Sequence, residues 1–281
     1  MFGNRILLLI PHPDDEVVGC CAAVCRAVAA GAVVFGFYLT NGVPARDVMW
    51  PWQRARHGLR IARRSSECAR AADLLGLADA GRQDVPSREL RHHLASTERR
   101  LERILNETAA EVMWVPAYEG GHQDHDVANF LAHRFADRLP VWEFSEYNYG
   151  GGRVRSQEFW NSDGNEKLLS LSDGEARMKR LALAIYRSER GNLGGIETGR
   201  ESFRPLPVYD YGRPPHDGPL FYQRFQWVLF RHPRIDFCTP QEVCRAIQDF
   251  LAAPALRAGS GPHALSLGLS NPEDASLSPH P

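Results

Sequence analysis

The run PHPDDE, from Pro11 to Glu16, follows directly on the aliphatic stretch RILLLI of residues 5–10. An unbroken aliphatic run of that length reads as a strand buried on both faces. Three adjacent carboxylates at its end repel one another, and each loses hydration if the loop is enclosed. A positive charge is therefore expected at this loop, and the fold must carry a buried strand to a polar edge.

Further along, strand and helix signals alternate. An alanine-rich helix is predicted from about Val17 to Ala30, closed by Gly31, and AVVFGFYLT (32–40) reads as a second strand ending at Asn41-Gly42. Helices are predicted over about 58–75, stopping at Gly76, and over about 90–108. EVMWVP (111–116) is a third strand, residues 121–139 are a helix entered from a glycine turn, and PVWEFSEY (140–147) is a fourth strand. Such alternation predicts an α/β fold, a mostly parallel sheet with helices on both faces. Ligands on such sheets bind beyond the carboxyl ends of the strands, so PHPDDE and EGGHQDH (119–125) should share one edge.

The C-terminal part is less regular. Ser172 to Glu175 has capping-box spacing and opens a helix to about Arg187. Residues 191–219, rich in glycine, proline and aromatics, read as a binding loop or lid, and PLFYQRFQWVLF (219–230) as a late strand. A second capping box, Thr239 to Glu242, opens a final helix to about Leu251. One domain is expected over 1–252, with a disordered tail over 253–281, where little can be buried.

Lysine plus arginine number 33 against 34 aspartates plus glutamates, which argues against nucleic acid or an anionic membrane as partner. No apolar stretch is long enough to span a bilayer. The six cysteines contain no CxxC pair, so a thiolate zinc site or redox motif is not expected; they read as small buried side chains in a reduced, cytoplasmic compartment.

A divalent metal answers the charge question. His12 and Asp15, three apart on a tight loop, can reach one ion while the neighbouring carboxylate points elsewhere. A third ligand would come from HQDH, where His122 and His125 are again three apart. Three protein ligands leave a position open for water, as in catalytic sites, and the ion offsets the clustered carboxylates. Either motif alone could be ordinary, PHPDDE as an acidic helix start favoured by the helix dipole and HxxH as surface histidines. Their joint placement after two different strands favours the metal.

PHPDDE after an apolar strand, EGGHQDH after a later one, and RSSECARAADLLG (64–76) between them resemble the LmbE-like family, that of the GlcNAc-phosphatidylinositol de-N-acetylase (PIG-L). A looser echo lies in KRLALAIYRSE (179–189). The resemblance implies a Rossmann-like α/β fold and a metal-dependent, usually zinc-dependent, N-deacetylase of amino sugars and their conjugates. By the family pattern His12, Asp15 and His125 bind the metal, and Asp14 is the general base. His122 faces the developing oxyanion or assists as an acid, and Asp124 orients it. Zinc is the expected ion, with ferrous iron or cobalt also suited to the ligand set.

Arg64 resembles a family arginine near the sugar pocket; its alternative is a solvated helix face paired with Glu67. Ser87 stands where many relatives carry a sugar-binding aspartate, with Asp84 or Arg88 as substitutes, and Glu189 where relatives commonly have glutamine. Glu16 supports the loop or caps the next helix. Trp50, Trp52, Tyr147 and Tyr149 could stack on sugar or simply pin loops. The implied partner is a small N-acetylated sugar conjugate, with a homo-oligomer compatible. Two alternatives stay open: an amidase of thiol or peptide conjugates on the same site, and a non-catalytic α/β binding module. A nicotinamide dehydrogenase is discarded, because no GxGxxG follows the first strand.

Overall fold

Residues 6–10 are wholly buried and alternate between two apolar cores: Ile6, Leu8 and Ile10 face one, Leu7 and Leu9 the other. The strand they form, β1 (Arg5–Ile10), is an interior strand of a seven-stranded sheet in the computed structural model, which describes residues 1–230 and 232–253. β1 pairs in parallel with β2 (Val33–Tyr38) and with β4 (Val112–Pro116). β3 (Ala78–Arg82) extends the sheet beyond β2, and β5 (Val141–Ser145) extends it beyond β4, both in parallel. The chain thus winds outward from β1 in one direction and then, from β4, in the other. The gap between the ends of β1 and β4 is the topological switch point, where ligands of such sheets bind. PHPDDE and EGGHQDH lie on its two sides.

One core is covered by α5 (Leu94–Thr108), α6 (Gln123–His133) and α9 (Pro240–Ala252). The other is covered by α2 (Cys21–Ala29), α4 (His57–Leu75) and α7 (Asp173–Ile185). The expected α/β layering is therefore present. Among the described residues no helix is long and apolar enough to cross a membrane, and all six cysteines are unpaired. Residues 254–281, nearly all of the expected tail, lie outside those described.

Three expectations need correction. The helix predicted over 17–30 is broken into α1 (Asp15–Val18) and α2, because α2 has an N-terminus of its own. The buried Glu201 carboxylate accepts from the backbone N–H groups of Ala22 and Ala23, each at 2.9 Å. Gly19, at the break, packs so closely on Phe144 that a Cβ would fall 2.2 Å from the ring. The late strand over 219–230 does not form: Trp227, Leu229 and Phe230 are exposed, and only a 3₁₀ turn, Phe221–Gln223, appears. The strand that pairs with β5 is β9 (Arg200–Pro205), antiparallel, from within the stretch read as a loop. β9 in turn pairs with β8 (Lys167–Ser170), while Tyr147–Asn148 and Arg155–Ser156 form a separate two-stranded ribbon, β6 and β7. Two short helices, α3 (Pro51–Arg54) and α8 (Arg190–Leu193), and several 3₁₀ turns lie in the connecting loops.

Glu201 also pairs with Lys179 of α7 at 3.0 Å, both side chains fully buried. Removing one member of such a pair leaves a buried charge without its counter-ion. Lys179→Met should lower the unfolding free energy by about 3 kcal/mol in urea titration; a loss under about 1 kcal/mol would show that the backbone donors alone satisfy Glu201.

Candidate active site

His12 follows β1, Asp15 opens α1, and His125 lies in the first turn of α6, which His122 caps. The donor atoms they turn toward one another form a nearly equilateral triangle. His12 Nδ1 lies 3.2 Å from His125 Nε2 and 3.4 Å from Asp15 Oδ2, and the remaining edge is 3.3 Å. Ligands about 2.0–2.1 Å from a tetrahedral zinc lie about 3.3–3.4 Å apart, so the triangle has the dimensions of one face of such a site. The donor chemistry agrees. The carboxylate of Asp124 accepts from His12 Nε2 at 2.9 Å, which leaves the Nδ1 lone pair turned into the triangle. A second group, His12, His122 and Asp124, is also close enough to hold an ion, but its atoms are committed to one another and to backbone N–H groups.

The electrostatics call for a cation. Burial alone would strip a proton from His12, but Asp15 and Asp124 outweigh it and hold the imidazole up at about 10. Burial also acts against ionised Asp15, yet His125 and His12 keep it well below the usual carboxylate range. Without a metal, then, the site would recruit a proton to balance its carboxylates.

Asp14 leaves the triangle altogether. Its backbone sits at φ 139°, a strained conformation for a residue with a Cβ, and its carboxylate meets Arg64 at 2.9 Å. Burial pushes its carboxyl up to about 6 against the pull of that guanidinium. Glu16 turns a third way, accepting from the Asp14 N–H at 3.0 Å and from the Tyr186 hydroxyl. It supports the loop, one of the two roles foreseen for it.

Two sequence expectations change here. Asp124 was expected to orient His122, but its carboxylate serves His12 and stands 3.7 Å from His122 Nδ1. Its remaining capacity is taken by the backbone N–H groups of Arg88, at 2.6 Å, and Leu90, at 3.2 Å. What orients His122 is the Asp124 backbone: its N–H donates to His122 Nδ1 at 3.1 Å. Burial, with His12 nearby, keeps this ring neutral, so its proton rests on Nε2.

Arg64 is neither solvated nor paired with Glu67. It is 3 % exposed, and besides Asp14 it holds Glu189 at 2.9 Å and Ser188 Oγ at 3.1 Å. Glu67 instead binds Arg63 at 3.1 Å and the Ser188 hydroxyl. Arg64 thus grips the Asp14 carboxylate. Asp84 is occupied with Asn41 at 2.8 Å.

Beside the cluster lies a cavity of about 570 Å³ whose walls include Trp50, Met49, Phe237 and Arg91. Ser87, Arg88 and Gln123 also line it; Arg88 donates its backbone N–H to Asp124, and Gln123 precedes Asp124 in sequence. Trp50 stacks on Trp52 with rings 5.3 Å apart, whereas Tyr147 packs on His125 and Phe221. Sequence reasoning missed Tyr186, Ser188 and Glu146 as members of this region. For Glu146 a signal existed, a carboxylate directly after a strand on the edge that carries both motifs.

Residues 7–136 match the family model described as GlcNAc-PI de-N-acetylase (PIG-L). Comparison with curated protein sequences gives no match. Among solved structures the chain is similar to the zinc-inhibited form of teicoplanin deacetylase Orf2, with a TM-score of 0.55 at 18% identity over 72% of this chain and 97% of that one. It is also similar to N,N'-diacetylchitobiose deacetylase from Pyrococcus horikoshii, with a TM-score of 0.53 at 18% identity over 77% and 87%. A 4-carboxy-2-hydroxymuconate hydratase from Pseudomonas putida matches with a TM-score of 0.52 at 14% identity over 73% and 98%. At such identities the likeness is one of fold, and a hydratase on the same fold shows that the reaction must be argued from the site. Family model, sheet order and the two loops at the switch point agree: residues 7–136 form a PIG-L family domain.

Proposed function

We propose that the chain is a metal-dependent N-deacetylase of an amino sugar carried in a glycoconjugate, glycolipid or secondary metabolite. The observation that carries this reading is the ligand triangle with a second carboxylate, Asp14, held just outside it by Arg64. His12, Asp15 and His125 would hold the ion, which when bound supplies a Lewis acid for the acyl oxygen and an acidified water. Zinc suits the two-nitrogen, one-carboxylate set.

Asp14 accepts the proton of the attacking water and returns it to the departing amine, a shuttle favoured by its raised carboxyl. His122, neutral and with Nδ1 engaged by the Asp124 N–H, directs its Nε2–H toward the oxygen that gains charge. Asp124 fixes the tautomer of His12. Arg64 orients Asp14. The cavity beside Asp124 takes the group attached to the sugar, with Trp50 as its stacking wall. A reduced, cytoplasmic setting belongs to the same reading and is supported by the unpaired cysteines.

The first test is elemental analysis together with acetate release from N-acetylhexosamine conjugates. The parent should hold about one divalent ion per chain and release acetate. His125→Ala should lose both, whereas Asp14→Asn should keep the ion and lose about 100- to 10,000-fold in kcat. Release of a larger acid, and no acetate, would move the assignment to another amidase; no ion after zinc or ferrous iron is offered would end it.

The cavity makes a separate prediction. An aryl glycoside of N-acetylglucosamine should be preferred over the methyl glycoside, and Trp50→Ala should reduce that ratio of kcat/KM by about 3- to 10-fold. An unchanged ratio would remove Trp50 from substrate recognition.

A further inference from the structure

Almost every buried carboxylate near the carboxyl ends of the strands has partners. Glu119 accepts from Ser145, the Glu146 N–H and Asn148; Glu143 pairs with Arg204 at 2.7 Å; Asp126 accepts from the Gly120 N–H at 3.1 Å. Glu146, directly after β5, is the exception among the described residues. It is 1 % exposed, and neither of its oxygens has a hydrogen-bond partner. Burying a carboxylate in this way costs folding free energy without return unless a donor is supplied.

Space is reserved for it as well. A Cβ on Gly19 would lie 3.1 Å from Glu146 Cγ and would strike the Phe144 ring, so only glycine lets this segment pass. The polar group Glu146 faces is His125 Nδ1, 3.9 Å from its Oε2. That nitrogen is the one opposite Nε2, which His125 turns into the ligand triangle.

We propose that Glu146 is a positioning residue for the metal centre, accepting the Nδ1–H of His125 and so fixing the ring with Nε2 on the cation. This rests on the reading that His12, Asp15 and His125 hold a divalent ion. The two histidines then have mirror-image supports. His12 ligates through Nδ1 and is backed at Nε2 by Asp124, whereas His125 ligates through Nε2 and is backed at Nδ1 by Glu146. A shift of about 1 Å closes the gap to hydrogen-bond length.

The test is zinc affinity, measured by competition with a chromophoric chelator, on the purified full chain. Parent, Glu146→Gln and Glu146→Ala are compared, and thermal melts of the metal-free forms are recorded beside them. Glu146→Ala should weaken zinc binding by about 10- to 100-fold. Glu146→Gln should lose less, because its amide oxygen still accepts but carries no charge. The metal-free melts should be unchanged or higher, since no existing bond is removed; a purely structural role would instead lower them and spare affinity. The isosteric glutamine variant keeps the test decisive if the alanine variant does not fold. Parent-like zinc affinity in both variants would overturn the inference, as would a loss confined to kcat at saturating zinc. A parent that binds zinc through His125 while ignoring Glu146 leaves the metal reading intact; a parent that binds no zinc removes both.

Discussion

The Arg64 guanidinium lies 2.9 Å from Asp14 on one side and 2.9 Å from Glu189 on the other, almost wholly shielded from water. The arrangement of the loop after β1 depends on that grip. With Asp14 drawn toward α4, Asp15 can turn into the histidine triangle, and Glu16 is left to Tyr186 and the Asp14 N–H. Three adjacent carboxylates thus meet three different surroundings, and the repulsion that makes the motif improbable as sequence is relieved by direction. The strained backbone of Asp14 is the local cost of this divergence. Gly42 completes the fit, since a Cβ there would press on both Pro13 and Arg64.

The same logic explains why the clustered side chains and part of their support come from different parts of the chain. His12, Asp15, His122, Asp124 and His125 all lie within the first 136 residues, inside the family match. Several of the groups that brace them lie outside it. Tyr186, Ser188 and Glu189 hold the loop and Arg64, and Glu201 with Lys179 anchors the start of α2. A strand order that brings β9 against β5 is what lets the later segments reach the earlier ones.

Much of this was legible in the sequence because it is local. The aliphatic run, the three-residue spacing of His12 and Asp15, and the alternation of strands and helices each depend on near neighbours. From them followed the parallel sheet, its two apolar cores and the shared edge of the two motifs. What escaped depends on contacts between distant residues. RESFRP (200–205) does not read as a strand, because Glu201 and Arg204 are charged; they are buried only through Lys179, the α2 backbone and Glu143. The turn of Asp124 to His12 needs backbone donors at Arg88 and Leu90, which no spacing rule supplies. The grip of Arg64 on Asp14 was likewise not foreseen, because the partners that fix its guanidinium, Ser188 and Glu189, lie more than a hundred residues away.

The capping of α2 by Glu201 bears on how the chain is made. During synthesis His12, Asp15 and His125 are all present once residue 125 has been added, yet the N–H groups of Ala22 and Ala23 wait for a carboxylate 179 and 178 residues downstream. Until β9 leaves the ribosome, the loop that carries His12 and Asp15 is joined to a helix without its anchor, and Asp14 lacks the full clasp that Glu189 gives to Arg64. A growing chain therefore holds these side chains well before it holds the groups that fix them in place, and the order of translation separates the two.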